Sequence, residues 1–162
     1  MKRFFSLAIA LMALVPLHGE RVFAASPEAP TSPLVTVGRL TIPRLKITSA
    51  IYKGVTDRQF DQGVGYWPGT ALPGNTGNLV IGGHRTAAKR PFYDIEKIKI
   101  GDLITVSRPG RSFSYRVSRV MVVRPTDVWI VNPTAKATLT LFTCHPRGST
   151  SKRYVVRAVL IK

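Results

Sequence analysis

The chain has 162 residues, with 24 Lys or Arg against 8 Asp or Glu for a formal net charge of +16, and it contains one cysteine. That length suits a single domain able to bury a core without covalent staples. A lone cysteine excludes an internal disulfide. Basic residues that are scattered rather than gathered on one helix argue against a dedicated nucleic-acid binder, so the general consequence of the charge is attraction to anionic polymers or lipid.

The chain opens on Met1-Lys2-Arg3. An uncharged, mostly apolar run over residues 4–17 follows, and then the small-residue pattern Val22-Phe23-Ala24. This reads as an export signal over residues 1–24, or as an uncleaved signal anchor. The apolar run is short of the ~20 residues that a spanning helix needs, which favours cleavage. Either form places the body of the protein outside the cytoplasm. Residues 25–34, rich in Pro, Ser and Ala, read as a flexible linker. The folded domain is expected over residues 35–162.

From there, short apolar or alternating runs are separated by turn residues: 37–42, 45–52, 78–82, 102–107, 112–123, 137–144 and 154–161. Pro73-Gly74-Asn75-Thr76-Gly77 and Arg108-Pro109-Gly110-Arg111 are strong turn clusters. Residues 56–62, with Thr56 as cap, and 91–98, with Pro91 at a first helical position, each fit a turn or two of helix. The pattern is that of an all-β barrel or sandwich.

The 137–144 run ends on Cys144. An unpaired cysteine in an exported protein is an intermolecular bridge, an inert buried residue or a reactive thiol. To act as a nucleophile it needs thiolate character, hence a base or a positive charge beside it. Of the three histidines, His18 falls in the signal. His145 points away from Cys144 if the strand continues, and reads as a solvent-facing loop residue. His84 follows an apolar strand that is expected to break at Gly82-Gly83, and reads as a site residue or a structural one. Attack on a carbonyl also needs a donor for the developing negative charge. Arg153, at the start of the last predicted strand, returns beside Cys144 if residues 148–151 form a loop; otherwise it is solvated surface. Asp94 is the only nearby acid in sequence for His84, which weighs against a Cys-His-Asp hydrolase. Asp94, Glu96 and Asp102 come closest to an acidic cluster, so no metal and no cofactor are expected.

Three of these pieces occur in a recognisable order. They are Gly83-His84-Arg85-Thr86, then Thr140-Leu141-Phe142-Thr143-Cys144, then Arg153. Together they resemble the sortases, membrane-associated cysteine transpeptidases of Gram-positive bacteria, over roughly residues 35–162. Cys144-His145-Pro146-Arg147 and the Gly-His-Arg-Thr stretch are most similar to the class E sortases of actinobacteria. The resemblance implies a closed eight-stranded β-barrel with one or two short helices and a site at one mouth. It implies that Cys144 attacks the threonine carbonyl of a C-terminal Leu-Pro-x-Thr-Gly or Leu-Ala-x-Thr-Gly motif. His84 would protonate the departing glycine amine and later deprotonate the incoming one, while Arg153 holds the substrate backbone and offsets the oxyanion. The implied partners are exported proteins with a C-terminal sorting signal, the amine of a peptidoglycan precursor that resolves a thioacyl intermediate, and the membrane through the N-terminus. The implied place is the outer face of the cytoplasmic membrane or the cell wall, and nucleic acid is not a partner. Two other readings stay open: an exported thiol hydrolase, and a basic β-barrel that binds anionic cell-wall polymer with Cys144 inert.

Overall fold

The alternating runs fold as strands. A computed structural model describes residues 32–161, so the expected export signal and most of the expected linker lie outside the described residues. The strands are β1 (Thr36–Ile42), β2 (Ile47–Lys53), β3 (Val64–Tyr66), β4 (Asn78–Gly83), β5 (Leu103–Arg108), β6 (Arg111–Val123), β7 (Thr138–His145) and β8 (Lys152–Leu160). They close into a barrel in the order β1-β2-β3-β4-β7-β8-β6-β5. Closure leaves no strand edge unpaired. Two contacts are parallel, β2 with β3 and β4 with β7; the others are antiparallel. The β5–β6 hairpin turns at Pro109-Gly110, where Gly110 takes φ +72°, a conformation that suits glycine.

Period-two alternation separates the two faces of each strand. Leu79 and Ile81 of β4, Leu139 and Leu141 of β7, and Val156 and Ala158 of β8 point into the barrel and are almost fully buried in its core. Each such aliphatic side chain contributes roughly 1.5–3 kcal/mol by leaving water. Residues of the opposite parity face outward. On β7 and β8 this outer face is not bare. The β6–β7 connection, with a 3-10 turn at Val128–Val131, folds over it, and Val123, Ile130 and Val155 form a second small core with Phe142 packed against it. Asn78, buried at the start of β4, fastens that connection. Its amide nitrogen donates to the carbonyls of Ile130 (2.8 Å) and Asn132 (3.0 Å), and its oxygen accepts from Thr140 Oγ1 (2.7 Å).

Three features differ from the sequence expectation. β3 was not foreseen, because three residues including Gly65 are too few to display alternation. The run expected from residue 45 begins two residues later: Pro43–Leu45 forms a 3-10 turn and Lys46 adopts φ +52°. Gly82 and Gly83 do not break β4. They pair in the ladder with Gly65 and Val64, and their missing side chains make room for rings. A Cβ on Gly82 would run into Phe142 and Phe60, and one on Gly83 into Phe92. The helix expected over 56–62 is present as α1 (Asp57–Phe60), capped by Thr56, whose hydroxyl and amide both reach Gln59 Oε1 (2.5 and 3.3 Å).

Replacing Asn78 with Ala removes three hydrogen bonds and leaves the buried Thr140 hydroxyl without its acceptor. Urea denaturation of Asn78→Ala is expected to show a loss of about 2–4 kcal/mol in unfolding free energy.

Candidate active site

The register of three neighbouring strands sets three side chains side by side. In the parallel β4–β7 ladder Gly82 lies opposite Phe142, so two residues further on His84 comes level with Cys144. In the antiparallel β7–β8 ladder Cys144 lies directly opposite Arg153. Adjacent strands are ~4.8 Å apart, and residues at one level share a face. His84, Cys144 and Arg153 therefore line one outward-facing pocket of about 290 Å³ at the strand ends. Val55, Phe60, Trp67 and Phe142 supply its apolar wall, with ring pairs Phe60–Phe142 and Trp67–Phe142 meeting edge-on at 6.5 and 5.8 Å. Two larger surface clefts, of about 460 and 490 Å³, are lined by neither thiol nor imidazole.

Each of the three groups has a defined setting. Cys144 is partly exposed and unpaired. His84 is held at the backbone by its carbonyl, which accepts from the Phe92 amide (3.1 Å). Its ring meets the edge of Phe60, with centroids 5.5 Å apart. Its Nε2 lies 3.1 Å from Asp61 Oδ1 and 3.7 Å from Asp57 Oδ1. An acid partner is thus present, and it is not Asp94, which pairs instead with Lys97 and Arg147. The sequence showed the helix that carries Asp57 and Asp61 but not that the parallel β2–β3 crossing lays it against β4. Arg153 donates through Nη1 to the carbonyls of Thr150 (2.8 Å) and Lys152 (2.9 Å). Among the described residues its Nε and Nη2 have no acceptor, so they are available to a ligand in the pocket.

Behind this row, on the interior side, sits a second polar group. Arg85 is 2 % exposed. Its Nη2 lies 2.6 Å from Glu96 Oε2 and its Nη1 2.9 Å from His145 Nδ1. His145 is therefore not the solvent-facing loop residue that its position after Cys144 suggested. It ends β7 inside a pocket of Arg85, Glu96 (3.3 Å from Nδ1) and the ring of Tyr154 (centroids 5.7 Å apart). It does face away from Cys144, as alternation requires. The Arg85 guanidinium holds the Glu96 carboxyl below the usual range against the opposing effect of desolvation, with smaller help from His145 and Arg147. Burial pushes the Tyr154 phenol up, and the Glu96 charge adds to that. The described residues contain no group of three or more His, Cys, Asp or Glu gathered as metal ligands.

Residues 40–161 match the sequence model of the sortase domain. The chain is 29% identical over 139 residues to sortase SrtE1 of Streptomyces coelicolor, and 30% identical over 126 residues to sortase A of Bacillus anthracis. These alignments cover 76% and 77% of the chain but only 40% and 60% of the two relatives. A solved structure of a Clostridium perfringens sortase D5 transpeptidase superposes with a TM-score of 0.72 at 30% identity, covering 78% of this chain and 79% of that one.

The Arg85–Glu96 pair has a consequence for acid stability. A carboxyl whose folded-state pKa is depressed contributes stability that is complete above its unfolded value, ~4.3, and is lost as pH falls through the depressed value. Glu96→Gln is therefore expected to be less stable than the parent at pH 7. The difference should shrink toward zero as pH falls below the ordinary glutamate range and through the depressed value. Thermal melts of both proteins across that range check it.

Proposed function

The chain belongs to the sortase family, and from that premise we propose that it is an exported cysteine transpeptidase acting on sorting signals, with Cys144 as nucleophile, His84 as proton carrier and Arg153 as oxyanion and backbone donor. The alignment of these three side chains at one level of β4, β7 and β8 is the observation that supports the assignment most. The Cys144 thiolate attacks the carbonyl carbon of the threonine in a Leu-Pro-x-Thr-Gly or Leu-Ala-x-Thr-Gly motif. The C=O electron pair moves onto oxygen, where the unengaged N–H groups of Arg153 meet it. As the tetrahedral intermediate collapses, His84 gives a proton to the glycine nitrogen and the amine leaves. A thioester on Cys144 remains. An amine on a peptidoglycan precursor then attacks it, loses a proton to His84 and leaves with the acyl group, restoring the thiolate beside a protonated imidazole. Donation from His84 Nε2 to Asp61 keeps one ring nitrogen occupied and leaves Nδ1 for these transfers. The apolar wall of Val55, Phe60, Trp67 and Phe142 suits the aliphatic residues of the motif.

The setting follows from the same reading. The enzyme works at the outer face of the cytoplasmic membrane or in the cell wall, with residues 1–24 as its export signal or anchor and residues 25–34 as a tether. Within the family, class E is favoured by Gly83-His84-Arg85-Thr86, by Cys144-His145-Pro146-Arg147 and by the likeness to the Streptomyces protein. Relatives of class A and class D match at nearly the same identity.

One observation favours a second reading. Asp61 beside His84 removes the sequence argument against a Cys-His-Asp hydrolase, in which water rather than an amine accepts the acyl group. The two are separated by incubating a sorting-motif peptide with and without a nucleophilic amine such as triglycine. Transpeptidation predicts a ligated product that grows with amine concentration; free acid alone, at any amine concentration, supports the hydrolase. In either case Cys144→Ala is expected to abolish cleavage, and Arg153→Ala to lower kcat/KM by ~10² or more, the worth of one oxyanion donor at about 3 kcal/mol. Asp61→Asn should cost about tenfold in kcat, far less than the ~10⁴ of a buried triad carboxylate, because Asp61 is half exposed. Unchanged turnover in Arg153→Ala would remove that residue from the mechanism.

A further inference from the structure

The parallel ladder between β4 and β7 stops short of the site. Its last paired residues are Gly82 and Phe142, while the thiol and imidazole lie two residues beyond. Two side chains hold the strand ends together past that point. Thr143 Oγ1 donates to the Gly83 carbonyl at 2.7 Å. Further out, Arg85 Nη1 reaches the Cys144 carbonyl at 3.4 Å and His145 Nδ1 at 2.9 Å. Arg85 directly follows His84 in the chain. One guanidinium therefore joins the residue next to the imidazole to the backbone of the thiol residue, from the interior side.

Stability alone is a poor reason for such a group. Arg85 is the largest fully buried side chain among the described residues. Burying a cation costs several kcal/mol, and a buried ion pair is often no more stable than an apolar replacement of similar volume. What an apolar side chain lacks is direction. The planar fork of arginine engages separate acceptors at fixed angles. Here one terminal nitrogen faces Glu96 Oε2, and the other faces His145 and the Cys144 carbonyl. Glu96, on the 3-10 turn Ile95–Lys97, holds the first nitrogen by charge at 2.6 Å, off the line of an aligned hydrogen bond. Because arginine only donates, His145 Nδ1 accepts this bond when the ring is neutral, with its proton on Nε2. In that form the nearby Glu96 Oε1 takes no proton from the ring.

We propose that Arg85, braced by Glu96, is a positioning residue that sets the distance between Cys144 and His84 by clamping the last residues of β7 to the end of β4 through His145 and the Cys144 carbonyl. The inference rests on the reading of Cys144 and His84 given above. It adds a requirement that their own chemistry does not impose. A displacement of about 1 Å in a reacting group is enough to cost ~10² in rate, whereas the pocket wall that receives the substrate is built from other residues.

The test compares Arg85→Lys and Arg85→Met with the parent in the full chain. Circular dichroism and a thermal melt establish that each is folded. Two readouts follow: kcat and KM for a sorting-motif peptide, and the second-order rate of Cys144 alkylation by iodoacetamide, which needs no enzymatic activity. Lysine keeps the charge but not the fork. Clamping predicts that folded Arg85→Lys loses 10- to 100-fold in kcat with KM within about threefold, and that its alkylation rate shifts several-fold from the parent's. Parental kcat together with parental alkylation in folded Arg85→Lys overturns the inference. If the parent itself cleaves no peptide, the transpeptidase reading fails, and the alkylation comparison still decides whether Arg85 sets the thiol's position. Should both Arg85 variants unfold, His145→Asn and His145→Phe take their place. Asparagine offers Arg85 an acceptor and is expected to retain most of the parental kcat and alkylation rate; phenylalanine offers none and is expected to lose both. Equal behaviour of these two variants counts against the clamp.

Discussion

Everything at the site depends on the register between β4 and β7. These strands are remote in sequence and parallel, so no tight turn fixes their alignment; the ladder from Asn78–Thr138 to Gly82–Phe142 does so by itself. Side chains alternate with period two. A slip of one residue would turn His84 into the barrel, bring Arg85 out, and exchange the two polar groups that the strand ends keep apart. The interior aliphatic residues oppose that slip, since it would expose Leu79 and Ile81, which lie in the barrel core. The outer core under the β6–β7 connection opposes it too, through Asn78 and Phe142. The apolar pattern of the barrel and the geometry of the pocket are thus one constraint seen from two sides of the sheet.

The same alternation explains which parts of the molecule were legible in the sequence. Seven strands announced themselves by apolar periodicity and turn residues. Cys144 stood out as the only thiol, and alternation correctly turned His145 away from it. What the linear pattern could not carry was anything that depends on which distant segments meet. Asp57 and Asp61 sit on a helix visible from its Thr56 cap, yet only the parallel β2–β3 crossing brings them to His84. Arg85 stood out only as a letter of the Gly83-His84-Arg85-Thr86 motif, and Glu96 only as one of the acids Asp94, Glu96 and Asp102. The burial of Arg85 follows from parity: it has the parity of Leu79 and Ile81, so once β4 runs unbroken through Gly82 and Gly83 its side chain must enter the barrel. Reading those glycines as a break hid this. They are instead the places where Phe142, Phe60 and Phe92 press on the backbone.

The charge distribution adds a second layer. Each acidic residue among the described ones faces a cation or an imidazole: Asp102 with Arg44, Asp94 with Lys97 and Arg147, Glu96 with Arg85 and His145, Asp127 with Arg124, and Asp57 and Asp61 with His84. The carboxylates are committed locally, and the large basic excess is left for the surface. A protein so charged is drawn to anionic polymers and membrane headgroups, over a range set by ionic strength. Under the placement at the cell envelope proposed above, that attraction would raise local concentration without taking part in the chemistry.

Mass spectrometry of the protein, quenched in acid shortly after mixing with a sorting-motif peptide in the absence of amine, addresses the covalent step itself. The expected result is an added mass equal to the acyl fragment ending in threonine, carried by the peptide that contains Cys144 and released by hydroxylamine. Attachment of that fragment to any other residue, or undiminished cleavage by a protein in which Cys144 is replaced by alanine, would contradict a nucleophile placed by the register of β4, β7 and β8.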